Sequence, residues 1–109
     1  AAKTIRTAEI TIATRSVEMN GVKVRDGQPI GLLDDVLTAA GESIEDVVWT
    51  MLDQMQAADR ELVTIYYGDS VSADEAGTLA DAIRDRYDHL EIEVVDGGQP
   101  HYPYILSAE

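Results

Sequence analysis

A chain of 109 residues supports one domain built around one modest hydrophobic core. Its 45% apolar content is that of a globular protein, and no apolar run approaches the roughly 20 residues needed to span a bilayer. Twenty-one acidic residues against eight basic ones leave a formal charge of −13, which repels phosphate backbones and anionic headgroups, so neither nucleic-acid binding nor membrane insertion is expected.

The same acidity reads either as a device for solubility or as attraction to a basic partner. With no cysteine there is no disulfide framework, thiolate nucleophile or cysteine metal site, and a cytoplasmic location is expected. The opening Ala1-Ala2-Lys3-Thr4 lacks the basic-then-apolar pattern of a signal peptide and reads as a boundary inside a longer protein.

From Thr7 to Arg15, Ala8, Ile10 and Ile12 alternate with Thr7, Glu9 and Thr11, the period of a strand with one buried face. Asn20-Gly21 sits between Val17-Glu18-Met19 and Val22-Lys23-Val24, and both turn residues tolerate the positive φ of a tight hairpin. A second turn at Asp26-Gly27 precedes Pro29-Ile30-Gly31-Leu32-Leu33, and Asp34-Asp35 separates that run from Val36-Leu37-Thr38-Ala39. The first forty residues are therefore expected to be short strands and turns.

At Gly41-Glu42-Ser43 the period changes. Ser43 caps a helix, with Asp46 placed to return the bond in a capping box. Ile44, Val47, Val48, Met51, Leu52 and Met55 then keep one apolar face, against which Trp49 is either a flank of the core or an exposed contact. Leu62 to Tyr67 is a continuous β-prone run, as expected for a central strand covered on both faces. Ser72 caps the next helix with Glu75 at the reciprocal position and Val71 set to staple onto Ala76; Ala76, Leu79, Ala80, Ile83 and Tyr87 form its buried stripe. Leu90, Ile92 and Val94 alternate with Glu91 and Glu93 as a strand with one wet face, and Tyr104-Ile105-Leu106-Ser107 is a last short strand. The expected fold is α/β (α+β): a single domain over residues 1–109, with a mixed sheet and N-terminal hairpins. A right-handed β-α-β unit should run from Leu62 to Val95, and the two main helices should lie at about 44–56 and 73–87.

The motifs of common chemistries are missing. There is no phosphate loop and no Gly-x-Gly-x-x-Gly after a strand, so neither ATP nor magnesium should bind tightly. His89 and His101 are the only histidines, too few for an ordinary zinc site, and Asp34, Asp35 and Asp69 read as turn and cap residues. No serine stands in a nucleophile elbow. The expectation is of no cofactor, no metal and no catalysis by this chain alone.

What stands out is a pair of loops. Tyr67-Gly68-Asp69 and Gly97-Gly98-Gln99 each follow the C-terminal end of one strand of the expected parallel pair, and such ends collect on one edge of a sheet. Together with Pro100, His101, Tyr102 and Tyr104 they are the candidate partner-binding residues, because tyrosines with polar tips dominate protein interfaces. The alternative is that the glycines serve turns and the tyrosines close the core.

Three segments carry a family resemblance: Gly27-Gln28-Pro29-Ile30-Gly31, Glu61 to Asp69, and above all the ending Gly97-Gly98-Gln99-Pro100-His101-Tyr102-Pro103-Tyr104-Ile105-Leu106-Ser107-Ala108-Glu109. They resemble the extreme C-terminus of the dihydroxyacetone-kinase-like proteins known as the A-type proteins of fatty acid kinase. The resemblance implies a DegV-like C-terminal region in a protein whose ATP- and magnesium-binding domain lies elsewhere. That protein phosphorylates a fatty acid presented by a separate DegV-family fatty-acid-binding protein. Implied partners are that protein and the other domains of the parent kinase, with homodimerisation left open. Asp34-Asp35 departs mildly from the family pattern, standing where a looser glycine turn is usual. A second reading is that the domain itself holds a fatty acid or lipid. Volume argues against it, since an acyl tunnel takes several hundred cubic ångströms from a small core.

Overall fold

The computed structural model describes residues 5–109, so the boundary read at Ala1 to Thr4 lies outside the described residues. Alternation at the N-terminus produces β1 (Arg6–Ile12), which buries Ala8 and Ile10 completely; Ile12, expected on the same buried side, is exposed at the strand's end. Asn20 and Gly21 both take positive φ, 53° and 77°, and close the hairpin of β2 (Val17–Met19) and β3 (Val22–Val24). A second two-residue turn, Asp34 and Asp35 at φ 49° and 71°, joins β4 (Pro29–Leu33) to β5 (Val36–Ala40).

Helix α1 (Ile44–Gln54) starts where Ser43 accepts the Asp46 N–H at 3.1 Å. Helix α2 (Ala73–Arg86) has the full capping box, with Ser72 and Glu75 bonded in both directions. The return bond expected from Asp46 does not form; an aspartate is one methylene shorter than the glutamate that completes the box at α2. Both helices end within two residues of expectation.

Strands β6 (Leu62–Tyr67) and β7 (Glu91–Asp96) flank α2 and pair in parallel, the β-α-β unit that the pattern predicts. The last strand, β8 (Tyr104–Ala108), inserts between β1 and β6, antiparallel to both. The main sheet is therefore mixed, in the order β5-β4-β1-β8-β6-β7, and the architecture is α+β.

One face of that sheet carries the main core. Ala8, Ile10, Val63, Ile65 and Leu106 meet Val47, Val48, Met51 and Leu52 of α1 and Ala76, Ala80 and Ile83 of α2, all essentially inaccessible to water. Helix α1 lies so close on β4 that a Cβ at Gly31 would sit 2.9 Å from Val47 Cγ1, and the Met51 side chain would also have to move. Removing that much apolar surface from water at about 25 cal/mol per Å² is the main term favouring the fold. On the opposite face the β2–β3 hairpin covers only the β4–β5 end, through a small second cluster of Ala13, Val24 and Leu37.

Two expectations change here. The run Leu62 to Tyr67 lies inside the sheet and is covered on both faces only over its first part: Val63 and Ile65 point to the helices and Thr64 is buried on the far side, whereas Tyr66 beyond it is exposed. Alternation returns only at Tyr66, a β-former that suits a half-wet face as well as a core. Likewise Val94 and Val95 near the end of β7 are 37% and 39% exposed, β7 being the edge strand of the sheet.

Candidate functional site

The two loops are brought together at the C-terminal ends of β6 and β7, and backbone bonds fuse them. Gly97 and Gly98 N–H groups donate to the Tyr67 carbonyl at 3.0 and 3.2 Å; Asp69 N–H donates to the Gln99 carbonyl at 3.1 Å, and Gly68 N–H to the Pro103 carbonyl at 2.9 Å. The Gln99 side chain lies underneath, its Nε2 donating to the Tyr66 carbonyl at 3.1 Å and the Tyr102 carbonyl at 2.9 Å. Carbonyls at strand ends that lack ladder partners are satisfied in this way from within the loop.

Gly68 is dictated by close approach. Although buried, it takes an ordinary negative φ; a Cβ there would lie 2.6 Å from the Gln99 carbonyl oxygen and collide with that of Tyr102, both backbone atoms that cannot swing aside. Gly98, at φ 62°, and His101, at φ 69°, take the left-handed conformation that turns the chain back toward β8. The His101 carbonyl accepts a hydrogen bond from the Thr11 hydroxyl, which ties the loop to β1 on the other side of β8.

Exposure divides the candidate residues. Asp69, Gly97, Gly98, Pro100 and His101 are exposed, and Gln99 and Tyr102 are half-buried. The tyrosines separate by strand alternation. Tyr66 is opposite Ile105 on the open face of the sheet, whereas Tyr67 and Tyr104 are opposite each other on the helix-covered face. Tyr104 is only 6% exposed and belongs to the core, so it is not one of the exposed tyrosines expected at this edge. Burial, followed by the Glu75 and Glu45 charges, raises the Tyr104 phenol above its ordinary value. Trp49 proves to be a flank of the core, with the Arg86 guanidinium 5.2 Å from its ring centroid.

Sequence reading missed the tie from Thr11 to His101 and the double donation by Gln99. A glutamine between Gly-Gly and Pro is the only local signal for the second, and nothing local announces the first. Among the described residues no cluster of three or more histidine or carboxylate side chains is placed to hold a metal ion, and no helix is long and apolar enough to cross a membrane.

The edge is thus a mostly exposed loop surface, cross-linked by backbone hydrogen bonds and made by the most distinctive segment of the sequence. Comparison with known proteins places that segment in context. Protein YloV of Bacillus subtilis is 30% identical over 105 residues, covering 96% of this chain and 19% of its own length. Uncharacterized proteins of Staphylococcus aureus strains USA300 and MRSA252 are each 28% identical, with the same coverage. The chain thus spans about a fifth of the length of these curated relatives. The model of the FakA-like C-terminal family, named for the C-terminal region of fatty acid kinase proteins of the A type, matches residues 1–109. The chain belongs to this FakA-like C-terminal family of fatty acid kinase.

Proposed function

We propose that this domain is the docking module of an acyl-kinase assembly, recognising a DegV-family fatty-acid-binding protein while the ATP-binding machinery lies in the remainder of the parent protein. The observation that carries the reading is the fused loop edge: Tyr67 to Asp69 and Gly97 to Pro103 form one surface that is fixed in place by four inter-loop backbone hydrogen bonds yet mostly exposed. A surface already ordered loses little conformational entropy on binding, which favours recognition. Its exposed members, His101 and Pro100 beside half-buried Tyr102, offer aromatic and apolar area with polar tips.

Tyr102→Ala removes a side chain but leaves the Tyr102 carbonyl that Gln99 needs. It should weaken binding to a DegV-family protein by at least about 1 kcal/mol, with thermal unfolding little changed. Calorimetric titration and melting of the parent, Tyr102→Ala and His101→Ala proteins check this. Unaltered affinity in both variants, with normal melting, overturns the loop edge as the docking surface. The second reading, a domain that itself holds a fatty acid, gains no support from the interior: α1 packs directly on β4, where Val47 and Met51 close on Gly31, and the groove that remains between the helices is open and lined by Glu45 and Glu75.

A further inference from the structure

Residues of α1, α2 and β8 together line an open groove of about 400 Å³. Tyr104 forms its floor, and Ile44, Trp49, Leu79 and Ala82 are among its apolar walls. Glu45 on α1 and Glu75 on α2 both line it. Among the described residues neither carboxylate is in an ion pair; Glu75 accepts only from Ser72, through one of its oxygens.

We propose that this groove seats the side chain of an arginine or lysine from a basic segment of a partner polypeptide. The walls suit an aliphatic stem, which buries its methylenes while keeping its charged head at the rim. Two carboxylates without an ion-pair partner on the lining of an apolar groove favour a cation, and the overall charge of −13 draws a basic segment toward the domain. An anionic occupant is disfavoured. Although two helix N-termini lie nearby and would attract anions, first-turn acids Glu45, Asp46, Asp74 and Glu75 already occupy that field. A fatty acid matches the walls but brings its carboxylate against Glu45 and Glu75.

The inference stands apart from the loop-edge reading, since it uses different residues and holds whichever protein supplies the segment. The test is an NMR titration of the isotopically labelled 109-residue chain, following the Trp49 indole N–H and the Thr78 and Ala82 amides. Three probes are compared: an acetylated, amidated Leu-Arg-Leu peptide, its Leu-Glu-Leu counterpart, and dodecanoate. The arginine peptide should shift these signals saturably and more weakly at high salt, while the glutamate peptide should not. The double variant Glu45→Gln, Glu75→Gln should weaken the arginine peptide about fivefold or more. Its melting temperature should hold, because glutamine keeps the capping bond to Ser72. Equal response to both peptides, tighter binding of dodecanoate, or unmoved Trp49 and Thr78 signals at millimolar arginine peptide overturns the proposal.

Discussion

The two ends of the main sheet hold unusual backbone by different means. At the loop end, Gly98 and His101 adopt left-handed conformations within a mesh of uncharged backbone bonds around Gly68 and Gln99. At the opposite end, Asp34 and Asp35 adopt the same conformation in the β4–β5 turn, but charge secures it. The Asp34 carboxylate accepts Thr7 N–H at 3.0 Å and Arg6 Nε at 2.6 Å, and these contacts, the Thr7 bond foremost, hold its carboxyl below the ordinary range. Beside it Glu9 is pushed up, first by burial and then by its hydrogen bond and repulsion with Asp35. Neutral bonds confer a stability indifferent to pH and salt, whereas the aspartate turn must respond to both.

The largest expected effect is at the loop end. Gly68→Ala drives a methyl group into two carbonyl oxygens, so the loops must separate or the strand must shift. It should cost about 1–3 kcal/mol, read as a lower denaturation midpoint with the same loss at pH 5 and pH 7. A loss below about 0.5 kcal/mol, or one that varies with pH, breaks the contrast.

At the charged end the effect is smaller and its pH window is set by the direction of the shift. Asp34 titrates lower in the folded protein than in the unfolded chain, so its contribution is present above about pH 4 and is lost as the pH falls through the folded value. Because the side chain is exposed, Asp34→Asn should cost less than about 1 kcal/mol at pH 7 and progressively less as the pH falls below about 4, and high salt should shrink the difference. Melting curves across pH 2–7 at low and high salt check it.

The smallest effect has the opposite sign. Glu9 titrates higher when folded, so its carboxyl favours the folded state at low pH and opposes it once ionised. Glu9→Gln should therefore raise stability at pH 7 by a few tenths of a kcal/mol, a shift of about 1–3 °C in melting temperature, with the gain vanishing below about pH 4. A lower melting temperature at pH 7 would show that the Glu9 charge is supported rather than opposed.

By itself the sequence determined every element that rests on local chemistry. Periodicity marked both helices and the strand of Ala8 and Ile10. Asn20-Gly21 specified its hairpin through tolerance of positive φ, and Ser72 with Glu75 specified a helix start through side-chain reach. The parallel pairing of β6 and β7 followed from the helix between them, and with it the meeting of the two loops. What only tertiary structure decided depends on partners distant in the chain. Tyr104 to Ala108 has the length and pattern of an edge strand as much as of an interior one, yet β8 joins the N-terminal strands to the β-α-β unit. That placement buries Tyr104, leaves Tyr66 outside, and brings Thr11 to His101, ninety residues along the chain. Local propensity says which residues will extend; the choice of neighbour, and hence of inward face, comes from competition among all the strands for the same core.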